Sequence, residues 1–316
     1  MWNILKFELK YRFKRPATYI YFAILFLMAF CAITTDVIQV GGSGGQVKEN
    51  APTTIAFFQV ILSVIPGLLL ASAVMGVPIL RDFEHKTASM LYTTPMTKTQ
   101  YLGGRFLGSL MVTIFIFSGI LLGMMFGYLM PWIEQDKLLP YNLGDMLHPF
   151  FVLVIPNIFI MACLFFASGT LSRKLLVVFV QGIFLFIFYA VATELMDDWE
   201  NQDLGALLDP FGLNTVNHVT RYWTVAEQNT QTIGLSGLIL WNRLLWVGIA
   251  LATLLFTFWK FDYNLVGKAR KKKKQKVVVD GLSTSQTSLP IPSVQQQSGL
   301  ATQLTQIWDL AKFYFN

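Results

Sequence analysis

Between short polar intervals, the sequence returns six times to long uncharged apolar runs: Ala17 to Thr35, Ile55 to Leu80, Phe106 to Met130, Phe150 to Ala167, Leu175 to Thr193, and Leu238 to Trp259. Each approaches the ~20 residues that a helix needs to cross a bilayer. The sixth is interrupted by Arg243, so its clean part begins at Leu244 and must borrow from Leu238 onward. That places Arg243 near an interface, where its long side chain is expected to snorkel toward water. Tyr19, Trp132 and Trp259 at run ends suit interfacial belts.

Ahead of the first run, Trp2, Leu5, Leu9 and Phe13 recur at helical spacing, with Lys6, Lys10 and Lys14 on another face and Glu8 four residues before Arg12. The stretch from Lys6 to Lys14 also alternates in the manner of a strand. A lone strand beside a bilayer would leave its backbone groups unpaired, so helix is expected. The fold class that follows is an all-α membrane protein, six transmembrane helices with an N-terminal interfacial amphipathic helix. Residues 1–16 form that helix, 17–259 the membrane domain, 260–303 a basic and then disordered linker, and 304–316 the start of a second interfacial helix.

Composition agrees: of 316 residues 54% are hydrophobic and 13% charged, against about 25% charged in soluble domains. A soluble enzyme is excluded on that ground. The net charge of +6 mainly records sidedness. Twenty of the 24 lysines and arginines fall before the first run, between the second and third, between the fourth and fifth, or after the sixth. Twelve of the 18 acids fall in the other intervals. The positive-inside rule then sets both termini in the cytoplasm of a multi-pass cell-membrane protein, with a bacterial inner membrane expected. The first run lacks a small-residue cleavage site, so no signal peptide is expected. Cys31 and Cys163 lie inside apolar runs, which suits packing rather than redox or metal chemistry.

No source of energy is apparent in the chain. The spans carry almost no ionisable groups of the kind that proton coupling uses. Pro66, Pro78 and Pro156 read as kinks, with sodium coupling through unwound carbonyls as the other reading. Gly41 to Gly45 is followed by no Gly-Lys-Ser/Thr, so it is a connector and not a phosphate loop, and no His-Glu-x-x-His pair occurs. No catalytic residue, metal ligand or cofactor is expected in this chain; uphill transport would draw on another polypeptide. The acidic interval from Glu194 to Leu240 reads either as a small helical cap or as a solvated loop.

The interval after the second span, Arg81 to Tyr101, is too patterned for a simple connector. Phe83, Met90, Leu91 and Phe106 interrupt its charges, and Thr94-Pro95 is a good N-cap and first-turn pair. An amphipathic interfacial connector is the plainer reading. At these residues the sequence resembles the membrane subunits of type-2 ABC exporters. That family carries an acidic residue after span two, then a small pair, a Leu, a Pro and a basic residue. Glu84, Thr87 with Ala88, Leu91, Pro95 and Lys98 or Arg105 stand in those places, with Thr-Ala where the family usually has Gly-Thr. The resemblance, covering residues 1 to about 260, implies a permease subunit that is not itself an enzyme. It implies that this segment docks as a coupling helix into an ABC ATPase subunit, which binds the ATP. An ATP-independent secondary transporter or channel is the alternative.

Gly119, Gly123 and Gly127 recur every four residues, a smooth stripe for helix packing within one bundle or at a dimer seam. The run Lys268 to Lys276 holds seven positive charges in nine residues, which suits an anionic leaflet rather than nucleic acid. Beyond it, Val277 to Gln303 has the composition of disorder. Trp308 to Phe315 then echoes Trp2 to Leu9, keeping the spacing of Trp, Lys and Phe. The echo predicts that a second permease half follows or that two copies pair as a homodimer. Forms of the family fused to a zinc aminopeptidase have similar opening residues.

Overall fold

The computed structural model describes residues 1–35, 46–85 and 96–261, together with Gln306 and Trp308. Thr87, Ala88, Leu91 and Pro95, the basic run and nearly all of 304–316 lie outside the described residues. The unit Met1–Leu265 is built of helices and their connections, with no strand among the described residues. In chain order it comprises α1 (Trp2–Phe13), α2 (Pro16–Thr34), α3 (Pro52–Met75), α4 (Val77–Glu84), α5 (Lys98–Gly127), α6 (Leu143–Pro149), α7 (Ile155–Ser172), α8 (Leu175–Asp197), α9 (Gln202–Leu208), α10 (Leu213–Thr220), α11 (Val225–Thr230) and α12 (Gly237–Lys260).

Six of these stretches are long and apolar enough to cross a membrane: α2, α3 with most of α4, α5, α6 through α7, α8 and α12. The third begins at Lys98 and not near Phe106, because Thr97 caps it: its Oγ1 accepts from Gln100 N–H while Gln100 Oε1 accepts from Thr97 N–H. The fourth begins at Leu143 and passes through one π turn, Phe150–Val154, just before Pro156, which has no N–H for the regular ladder.

α5 is the spine. Its glycine stripe lies against α2 of the same chain, where a Cβ on Gly119 would stand 2.7 Å from the Phe22 carbonyl oxygen. At Gly123 it would overlap the Phe26 carbonyl oxygen, and at Gly127 it would meet the Ile33 side chain. The same face continues toward the start of α5, where Gly104 and Gly108 admit Ile4 and Glu8 of α1 at 2.7 and 2.8 Å from an added Cβ. The interval after α8 forms the helical cap α9–α11.

Gly123→Ala should therefore destabilise the fold by about 1–3 kcal/mol, since backbone oxygen cannot move aside as a side-chain tip can. Gly248→Ala, where a Cβ meets nothing within 4 Å, should leave stability within about 0.5 kcal/mol. Thermal melts of both variants in one detergent check the contrast.

Candidate functional site

The side holding α1, the end of α4 and the start of α5 is the basic face, and the opposite side, with the cap, the acidic face. On the basic face α1, α4 and the start of α5 meet around one carboxylate. Leu5, Glu8 and Arg12 share the buried edge of α1, whereas Trp2, assigned to the apolar face from sequence, is 69% exposed. Glu8 is 0% exposed. Its Oε1 accepts from Arg12 Nε at 2.6 Å, and its Oε2 accepts from Arg81 Nη2 at 2.9 Å and from Arg105 Nη1. Arg105 turns its Nη2 to Asp82 Oδ1 at 2.8 Å, and Tyr101 O–H donates to Asp82 Oδ2 at 2.6 Å. The Arg81 guanidinium lies 4.2 Å from the centre of the Tyr11 ring.

Arg12 does a second job. Pro78 cannot donate to the carbonyl four residues back, which leaves Val74 O without its ladder partner. Arg12 Nη2 donates to that oxygen at 3.0 Å. Thus α1 reaches the kink between α3 and α4 as well as the start of α5. Burial raises the Glu8 carboxyl, but the guanidiniums of Arg12, Arg105 and Arg81 outweigh it and hold it below its usual value of 4.5.

Of the residues assigned to coupling, Glu84 is exposed and engaged in no described ion pair. Lys98 Nζ donates to the Phe261 carbonyl at 2.7 Å, tying the start of α5 to the end of α12. The polar and charged groups brought together flank the interval instead: Arg81 and Asp82 before it, Tyr101 and Arg105 after it. Sequence reasoning paired Glu8 with Arg12 but missed its contacts with Arg81 and Arg105. The one available signal was a set of charges encroaching on both apolar runs that bound the interval.

The acidic face holds a second buried set. Arg243 does not snorkel; it is 4% exposed, donating to Asn157 Oδ1 at 2.6 Å and to Asn242 Oδ1 at 3.0 Å. Asn242 Nδ2 in turn donates to the carbonyls of Ala206, Leu207 and Asp209, and Asn157 Nδ2 to that of Phe211. The cap's turn thereby supplies acceptors that water would otherwise offer at an interface. Asp209 accepts from the N–H groups of Phe211 and Asn214; burial raises its carboxyl above the usual range against these bonds. Gly212 adopts φ +75 with Arg243 Nη2 in the space a Cβ would fill. Cys163 is buried in the core and Cys31 exposed on α2. Among the described residues no three His, Cys, Asp or Glu side chains gather as a metal site.

Glu8→Gln should cost about 3–5 kcal/mol, because it strands three guanidiniums in a buried site. The native contribution is present above pH 4.5 and lost as pH falls through the lowered folded-state value. Melting temperature followed from neutral pH downward should therefore drop steeply on acidification in the native chain, and less steeply in the variant. At the cap, Gly212→Ala should displace Arg243 and speed proteolytic cleavage between α8 and α12 severalfold, with the rest of the bundle cut at the native rate.

No model of a known protein family matches this chain, and no curated protein matches it.

Proposed function

We propose that the chain is the transmembrane permease subunit of an ATP-driven ABC exporter, coupled to a separate ATPase subunit through the interval between α4 and α5. One observation carries this reading: the described residues that flank the interval on both sides are anchored together. Arg81 and Asp82 at its start and Tyr101 and Arg105 at its end share one buried network with Glu8 of α1. A push on the interval meets a rigid set of charges and not a slack tether, so it moves α1 and the starts and ends of two spans together. Glu84, exposed at the edge of that set, stands where a partner protein can reach it.

In this arrangement the interval faces the cytoplasm, as do both termini, and the ATPase subunit binds and hydrolyses the ATP. A second permease half or a second copy of this chain completes the pathway. The chain contributes the route and the lever and performs no covalent chemistry.

Glu84→Lys reverses a charge at the proposed contact, and Leu91→Asp puts a charge on the segment's apolar positions. Each should reduce co-purification of the ATPase about tenfold, the effect of losing about 1.4 kcal/mol at an interface, with the amount of permease in the membrane unchanged. Native co-purification in both variants would overturn the docking assignment. Transport by the intact complex with no ATPase bound would favour a secondary transporter or channel.

A further inference from the structure

On the acidic face an open cavity of about 800 Å³ lies where the start of α3, the end of α8 and one face of α10 converge. Its wall divides into two parts. Phe57, Ile61, Met196 and Leu213 supply an apolar floor, and Asp197, Gln202, Asn217 and Arg221 supply polar groups. Helical spacing produces this directly: Met196 and Asp197 end α8 side by side, and Leu213, Asn217 and Arg221 recur every four residues along and just past α10.

The hydroxyls around the cavity are already used, Thr53 donating to the Gln228 carbonyl and Thr220 to that of Val216. The side chains of Asp197, Gln202 and Asn217 have no hydrogen-bond partner among the described residues, and Arg221 only stacks on Tyr222, 5.7 Å from the ring centre. Asp197 and Arg221 line one cavity without pairing with each other. Exposed, unpaired opposite charges lining the same cavity as apolar side chains match a ligand that carries both charges on an apolar body.

We infer that this cavity binds a small zwitterion of that kind, with the chemistry of a short apolar peptide bearing free termini. Its ammonium group meets Asp197, its carboxylate meets Arg221, its amides meet Gln202 and Asn217, and its side chains rest on the floor. The volume lies in the range that encloses a small organic molecule. A diacyl lipid fits poorly: Phe57 and Ile61 are one helical turn apart, about 6 Å of wall, against acyl chains that each cover about half of a ~30 Å hydrocarbon core. That the ligand is the exported substrate rests on the permease reading; that it binds does not.

The test uses the full chain in phosphatidylcholine nanodiscs and equilibrium dialysis with radiolabelled trileucine, N-acetyl-trileucine and glycerophosphoethanolamine. Trileucine should bind most tightly of the three. Asp197→Asn and Arg221→Gln should each weaken it about fivefold, the scale of an exposed charge pair, with native melting temperatures. Asp197→Asn should leave N-acetyl-trileucine binding unchanged, since that probe has no ammonium group. Native trileucine affinity in both variants, equal losses for both peptides in Asp197→Asn, or tighter binding of glycerophosphoethanolamine would overturn the assignment. No ATPase is present in this assay. Failure here beside intact ATPase co-purification removes the peptide site alone, and retained binding beside lost docking removes the permease reading alone.

Discussion

A carboxylate that no water reaches must be surrounded by donors, and Glu8 is surrounded by three arginines from three helices. The requirement is strict because an unmatched charge in that position is far more costly than an apolar side chain would be. Much of the basic face follows from it. The geometry draws α1 down onto α5, which in turn demands Gly104 and Gly108 where Ile4 and Glu8 arrive. It brings Arg12 within reach of the carbonyl that Pro78 strands. It also fixes Arg105, whose other arm holds Asp82 and through it Tyr101.

The two ends of the bundle meet the same problem with different chemistry. On the basic face, guanidiniums are matched by carboxylates. On the acidic face, Arg243 is matched by two asparagine oxygens, and the asparagine amides are spent on carbonyls of the cap. Amide oxygens take the direct hydrogen bonds of Arg243, and the buried Asp209 carboxylate acts on it through space. The cap is therefore joined to α7 and α12 by directional bonds, while the helices beneath it are joined mainly by close packing.

The six spans and the N-terminal helix were legible because apolar length and helical spacing are local properties. Their ends were less so. Counting charges stops a span at Arg105, yet the helix runs back to its Thr97 cap, and Glu8 and Asp82 neutralise an arginine that sequence alone treats as solvated. Arg243 misled for a related reason: snorkelling is the rule when water is the best acceptor nearby, and here Asn157 and Asn242 are nearer. The buried network joined residues up to 97 positions apart, and no local period marks such a pairing. Glu84, Thr87, Ala88, Leu91, Pro95 and Lys98 or Arg105 carried the resemblance through their residue types, whereas Glu8, Arg81, Asp82 and Tyr101, which share the network with Arg105, had no place in that pattern.

The separation between Glu8 and Arg105 bears on how the chain is made. A ribosome adding about 5–20 residues per second needs roughly 5–20 seconds to add the 97 residues that run from Leu9 to Arg105. Throughout that interval α1 exists without the helix whose glycine face receives it, and Glu8 has only Arg12, one turn away, and later Arg81 as partners. α1 can thus be seated only once the third span has been made, and its docking reports that this span is in place.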